Sequence, residues 1–331
     1  MRLPWLQISD AIKDRLTSAG APGIWAANIS DEVMYAEVSG RQTHGFDMLE
    51  AMLTRTERTC EIPLVEDNVS SAGLVVEAKG HPGPVVAAAA VDGARRAADE
   101  HGIGVAAARS ASTFLAAGYH PYQLALTGRY ATIAVSVAKA RVAPIGARRA
   151  VLGTNPLAIG APSTHGPLVI DIAMTPLPAA EVRRRAKTGE PLPPGLAVDS
   201  EGEPTTDAAA ATEGAIFPFG GYKGSGLAVL IEALAGGLLG VKCGLRHGDL
   251  RGMVFIVIKA DLWASADTVS SAIGDLIEDI TSSPPLGGEP PAAPGLRTHR
   301  AITTALTYGV ELQPSRLAKL TALGVDLPSS R

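Results

Sequence analysis

The sequence predicts an α/β protein with two lobes, and three observations predict it. Apolar runs of strand length alternate with longer runs of helical period. A glycine-rich loop carrying one lysine opens directly into an apolar helix. The chain has 331 residues, enough for a large core divided between two lobes.

Residues 5–19 read as a short helix ending near Gly20, and residues 46–58 set Phe46, Leu49, Met52 and Leu53 on one helical side. An alanine-rich helix spans 85–101, with charges toward its end and a break at Gly102. Strands are expected at 103–108, 132–137 and 168–172, and again at 253–258. A polar, proline-rich tract, 176–214, separates this core from the glycine-lysine loop, and its Arg183-Arg184-Arg185 reads as a solvated face. Residues 267–281 form a helix. The five prolines of 282–295 make a connector, and two terminal helices follow at about 298–307 and 314–323.

Composition excludes several classes. With 46% hydrophobic and 19% charged residues the chain is ordinary for a globular protein. A net charge of −4 gives no electrostatic case for nucleic acid. Two distant cysteines, Cys60 and Cys243, offer neither a disulfide framework nor a metal spacing, and suit a reducing cytoplasm. The first residues lack the apolar core of a signal peptide, and the apolar runs 85–91 and 227–239 fall short of the ~18 residues of a membrane span.

The loop Phe217-Pro218-Phe219-Gly220-Gly221-Tyr222-Lys223-Gly224-Ser225-Gly226 carries the clearest chemistry. Glycines let backbone approach a ligand, a following helix aims unpaired N–H groups at it, and a lysine adds a full charge, so the assembly suits an anion. It is neither a P-loop nor a G-x-G-x-x-G motif, and a turn with a solvated lysine remains the competing reading. Four weaker signals accompany it. Thr43-His44-Gly45 places an imidazole at a loop-to-helix junction, where it serves proton transfer or merely caps. Gly153-Thr154-Asn155-Pro156 reads as a turn. Asp171 ends a strand, where on a parallel strand it would meet a ligand and otherwise would cap the next segment. Pro294-Gly295 precedes a helix.

In this order, together with Pro204-Thr205-Thr206-Asp207, these blocks resemble the malate/L-lactate dehydrogenase family of the non-Rossmann type, over nearly the whole chain. That family includes sulfolactate, ureidoglycolate and diketogulonate oxidoreductases and Δ1-piperideine-2-carboxylate reductases. Pro144-Ile145-Gly146-Ala147-Arg148 and the Phe-Pro-Phe-Gly-Gly lead look closest to the imine-reductase branch. The resemblance implies a non-Rossmann α/β domain (76–264) that binds NADPH or NADH, tilted toward NADPH. That domain would pack on a mainly helical substrate and dimerisation domain built from 1–75 and 265–331, in a homodimer without metal. It implies hydride transfer to a C=N or C=O carbon, with His44 as proton donor. By the same carry-over Ser136, Asp171, Ile172, Ala173, Met174, Thr175, Tyr222, Lys223, Gly295 and Leu296 contact the cofactor. Thr43, Met48, Thr113 and Asn155 fall in the substrate pocket.

The departures bear on the substrate. Position 48, where the family usually has an arginine suited to a carboxylate, is Met48, with Arg41 or Arg55 as substitutes. Position 113, usually histidine, is Thr113, with His120 nearby in sequence only. A common Thr-Asn pair is Ser136-Val137. An active reductase with a changed substrate, such as a cyclic imine or a masked acid, competes with a malate/lactate-type hydroxy-acid dehydrogenase. It also competes with a cofactor-binding or assembly protein that has lost catalysis. Intact cofactor blocks and the retained His44 favour the first.

Overall fold

A computed structural model describes residues 1–246, 248 and 250–327. The chain begins with β1 (Arg2–Leu3) and three helices, α1 (Trp5–Ser18), α2 (Gly23–Val38) and α3 (Leu49–Thr59). It then forms the hairpin β2 (Val65–Ser70) and β3 (Gly73–Glu77), α4 (Gly83–His101), β4 (Ile103–Ala111), α5 (Tyr119–Leu126) and β5 (Tyr130–Ser136). Next come β6 (Ala140–Val142), β7 (Leu152–Gly153), β8 (Leu157–Ala161), β9 (Leu168–Ile172) and α6 (Ala179–Thr188). Short pieces follow: β10 (Ala197–Val198), β11 (Pro204–Thr205), α7 (Ala208–Glu213) and β12 (Ala215–Ile216). The chain closes with α8 (Tyr222–Ala235), β13 (Arg251–Lys259), α9 (Ala266–Ser282), α10 (Leu296–Tyr308), β14 (Val310–Glu311) and α11 (Pro314–Ala322).

The main sheet runs β2-β3-β4-β13-β5-β8-β9. Only its β3–β4 pair is parallel. Asp171 therefore lies on an antiparallel edge strand, paired with Ala158 of β8, and not on the parallel strand its position suggested. One face packs on α4 and α5. Leu74, Val76, Ala106, Phe255 and Val257 join Val86, Ala90 and Ala94 in that core. Alternation along each strand sends the other residues to the opposite face. There α8 covers one end with Ala228 and Ile231 against Val135, Val254 and Leu157. Beyond α8, Ile103, Val105, Ile159 and Ile170 stay between 37% and 40% exposed.

A second sheet, β11-β10-β12-β6-β7, lies beside the first. Its strands β10 and β11, with α6 and α7, come from the tract 176–214, expected only as a separator, and β6, β7 and β12 come from outside it. Its strands of two or three residues are too short to show a period, which is why the pattern missed them. Asp207 of the Thr-Thr-Asp motif caps α7, accepting from the Ala209 and Ala210 amides.

Both ends of the chain build the helical layer. Ile8, Ile12, Leu16, Ile29 and Val33 share one core with Leu312, Leu320 and Val325. β1 pairs with β14, and the amino terminus donates to the Leu312 carbonyl. Residues 65–75, expected in this layer, instead pair into the main sheet. Helix α2 was absent from the sequence pattern because it is buried nearly all round and so lacks an amphipathic period. The run 227–239, expected to fall short of a membrane span, lies within Tyr222–Leu239, which has the length and composition of one. It folds here as α8 and a following turn, with 39% of the window buried.

Candidate functional site

His44 sits at the end of a 3-10 turn, Gln42–His44, where α2 hands over to a second turn, Phe46–Met48. The handover is made at Gly45. A Cβ there would lie 2.9 Å from both the backbone N and the Cα of Glu37, so only glycine lets the turn lie against α2. Glu37, buried in α2, receives the Phe46 amide on Oε2 at 3.0 Å. Arg316 of α11 donates from Nε to Glu37 Oε1 at 2.7 Å and from Nη1 to Asp47 Oδ1 at 2.6 Å. The His44 turn is therefore clamped between α2 and the last helix by charge-assisted bonds. Thr43 Oγ1 lies 3.0 Å from His44 Nδ1 and fixes the ring.

Burial and four charged groups act on His44. Burial depresses its pKa below the ordinary imidazole value. Asp171 opposes this, and Arg41, Arg183 and Arg251 add to it. Asp171 is nearly buried and holds Arg41 Nε at 3.1 Å. Deeper still lies Glu32 of α2, fully buried, with Oε1 accepting from the amides of Leu115 and Ala116 at 2.6 and 2.8 Å. Burial pushes its carboxyl up to about 8, with Asp171 adding to the rise. Burial also raises the Tyr35 phenol, which feels both carboxylates. Sequence reading missed Glu32 and Glu37. The available signal was acidic residues inside an otherwise apolar run, since buried charges require partners.

The glycine-lysine loop is built for close approach. Gly220 and Gly221 take φ of 57° and 61°, in the left-handed region, and turn the chain into α8. The loop is anchored below by Phe219 N on the Met174 carbonyl and by Ile145 N on Ser225 Oγ. Tyr222 and Lys223 project outward, exposed, and the Lys223 ammonium has no hydrogen bond or ion pair among the described residues. Met174 N in turn binds the Thr154 carbonyl, which ties the 171–175 segment to the Gly153–Pro156 turn.

The other expected site residues take the following places in the fold. Asn155, expected in the substrate pocket, is completely buried. Its Oδ1 accepts from Ala138 N, and its Nδ2 donates to the Ala228 carbonyl and to Glu232 Oε1, each at 3.0 Å. Glu232 also receives the amides of Gly153 and Gly244. Asn155 thus ties the turn to α8 and has no polar atom left for a substrate. The Met174 side chain lies in the core beneath the loop, with Ile172 packed against it. Met48 packs against the helical-layer core. Ser136 is buried and donates to the Val137 carbonyl, and Thr113 Oγ1 donates to the Phe114 carbonyl. Gly295 lies against the β9 backbone at the head of α10, and Leu296 packs with Ile277 and Ala293. Ala173 and Thr175 stay with the anchored segment, Thr175 donating to the Leu177 carbonyl. Of the two substitutes for an arginine at 48, Arg55 donates to the Gly80 carbonyl, and only Arg41 reaches the site, where Asp171 holds it. His120 packs edge-on against Tyr119 and Phe255 with Nε2 sealed from solvent, and burial drops its pKa to about 4, so it does not replace the histidine absent at 113.

An imidazole within electrostatic reach of a carboxylate, and a glycine loop with an exposed lysine, thus stand on this pair of sheets in an α/β protein. A family profile described as malate/L-lactate dehydrogenase matches residues 4–321, and the chain belongs to that family. It is 30% identical over 339 residues to a Delta(1)-pyrroline-2-carboxylate reductase of Ancylobacter novellus, covering 98% of each chain. It is 34% identical over 235 residues to a (2R)-3-sulfolactate dehydrogenase (NADP(+)) of Chromohalobacter salexigens, covering 70% of each. The crystal structure of delta1-piperideine-2-carboxylate reductase from Pseudomonas syringae pvar. tomato superposes with a TM-score of 0.86 at 26% identity, covering 98% of this chain and 99% of that one.

Proposed function

We propose that this protein is an NAD(P)H-dependent reductase that delivers hydride to the C=N carbon of a cyclic imino acid or the C=O carbon of a 2-oxo acid derivative. The observation that carries the reading is His44, locked on its glycine turn and facing the charge of Asp171. The pyrroline-2-carboxylate and sulfolactate relatives support the substrate classes, and the NADP(+) in the name of the sulfolactate relative supports the cofactor.

The nicotinamide, when bound, supplies the hydride. The residues present fit such a group: Gly220 and Gly221 open the backbone, and Lys223 has a charge free for a phosphate. Tyr222, Ser136, the 171–175 segment, Gly295 and Leu296 are the further contacts we assign. His44 gives its proton to the nitrogen or oxygen that gains the electron pair. Asp171 favours the imidazolium that donates, and Thr43 holds Nδ1 so that Nε2 is the exchanging nitrogen. Thr113 and Met48 carry no acid, base or cation, which suits an imine that arrives already protonated better than a ketone.

We further take the protein to be a cytoplasmic homodimer, with residues 1–75 and 265–331 serving substrate binding and dimerisation and 76–264 serving the cofactor. The pairing of 65–75 into the main sheet moves that boundary back to about residue 64. The free cysteines fit the compartment, and the apolar sheet face beside α8 fits a second copy. The test of function is loss of nicotinamide fluorescence when the protein is mixed with NADPH or NADH and a panel of cyclic imino and 2-oxo acids. Turnover of at least one compound is expected. Cofactor binding with no oxidation across the panel would replace this reading with that of a binding protein.

A further inference from the structure

The site has lost the arginine expected at 48, yet its surroundings hold a cation without a partner. The side chain of Arg183, on α6, forms no hydrogen bond or ion pair among the described residues. With Arg141 of β6 it lines a small open recess of about 20 Å³, whose wall also includes Val182, Thr212 and Ile216. Among the described residues the Arg141 side chain has one hydrogen bond, to the Thr212 carbonyl at 3.3 Å, and no carboxylate partner, and no acidic side chain lines the recess. Its neighbours Arg184 and Arg185 are each matched by Glu181. Two guanidinium groups drawn together without an anion repel each other, and burial together with that repulsion lowers the pKa of Arg183. A bound oxyanion relieves both costs.

We propose that Arg183 and Arg141 form the site that takes the substrate's carboxylate, in place of an arginine at position 48. The proposal rests on the reductase reading above. Three further arguments select the substrate over a cofactor phosphate. Arg183 lies near enough to His44 for its charge to act on the imidazole. Arg41, also near His44, is occupied by Asp171, and Arg251 is engaged by the protein. Lys223 already stands on the glycine loop for a phosphate. The guanidinium fork matches a carboxylate in two parallel bonds, which would also fix the orientation of the adjacent C=N or C=O carbon.

Arg183→Met, Arg141→Met and Arg183→Lys test this against the wild type with a cyclic imino acid and with the matching cyclic imine that lacks the carboxylate. Arg183→Met is expected to raise KM for the imino acid by ~10- to 100-fold, with kcat changed far less. It should leave KM for the carboxylate-free imine and for NADPH unchanged. Arg141→Met should show the same selectivity more weakly, and Arg183→Lys should restore part of the loss. Equal losses with both imines, or a raised NADPH KM in place of a raised imino-acid KM, would overturn the proposal, the second by assigning the pair to a cofactor phosphate. Titration calorimetry with pyrrole-2-carboxylate separates this question from turnover. Binding by the wild type that weakens at least tenfold in Arg183→Met supports the site even if no substrate is reduced. An absence of wild-type binding, or equal binding by both proteins, removes it even if the reductase reading stands.

Discussion

At the scale of single residues, the proposed proton transfer rests on His44, beside carboxyl groups kept largely out of water. His44→Ala should cut kcat by roughly 10²- to 10⁴-fold in steady-state assays, the range of a positioned proton donor. Turnover near wild type would remove His44 from its role. The donating form is protonated and the pKa is depressed, so reduction should decline as pH rises through a value below the ordinary imidazole one. The groups that face His44 fix the direction of change in variants. Asp171→Asn removes the one charge that favours the imidazolium and should move this limb to lower pH. Loss of a positive charge at Arg41, Arg183 or Arg251 should move it to higher pH. Glu32 gives a separate signature in stability. Its folded pKa, about 8, lies above its unfolded value, so the stability it contributes is present below about pH 4.5 and is lost as pH rises toward 8. Glu32→Gln should flatten the decline in Tm across that window, a slope of ~1.4 kcal/mol per pH unit at most. An unchanged slope would show that Glu32 is ionised in the folded state.

At the scale of elements, the loop into α8 and the turn after α2 were legible in sequence because glycine marks both. Gly220, Gly221 and Lys223 suggested an anion cradle or a plain turn, and Thr43-His44-Gly45 marked a loop-to-helix junction. What the pattern could not reveal was the partner of each tight turn. Gly45 is required by the backbone of Glu37, and Asn155 is required by Glu232, contacts that join distant segments. A buried asparagine with every polar atom occupied looks, in sequence, the same as one waiting for a substrate. Helix α2 and the small sheet were hidden for opposite reasons, one apolar all round and the other too short to have a period. Two variants probe these elements. Lys223→Ala should raise the cofactor KM with a smaller effect on kcat, and an unchanged cofactor KM would leave the loop as a plain turn. Arg316→Met strands the Glu37 carboxylate in the interior. It should cost about 3–5 kcal/mol of stability by chemical denaturation, the usual scale for breaking one partner from a buried pair.

At the scale of the whole molecule, the sequence conveyed the class of fold and the family, and it left the faces unread. Strand alternation shows which face of the main sheet packs on α4 and α5. Only the assembled fold shows that Ile103, Val105, Ile159 and Ile170 share the other face with α8. There Leu227, Leu230 and Leu234 line one helical side and are 37%, 59% and 46% exposed. A surface of that kind is expected to be covered by a second copy. Light scattering should give a dimer for the wild type and a monomer for the Leu230→Glu, Leu234→Glu double variant. A wild-type monomer would leave the face for some other partner.

The bond from Arg316 to Glu37 also has a consequence for biosynthesis. The ribosome makes the imidazole-bearing turn early, but the guanidinium that secures it emerges about 270 residues later. A nascent chain can finish both sheets and still carry an unset His44 turn. On the reductase reading proposed above, nascent chains released before the helix that carries Arg316 should therefore be inert toward substrate.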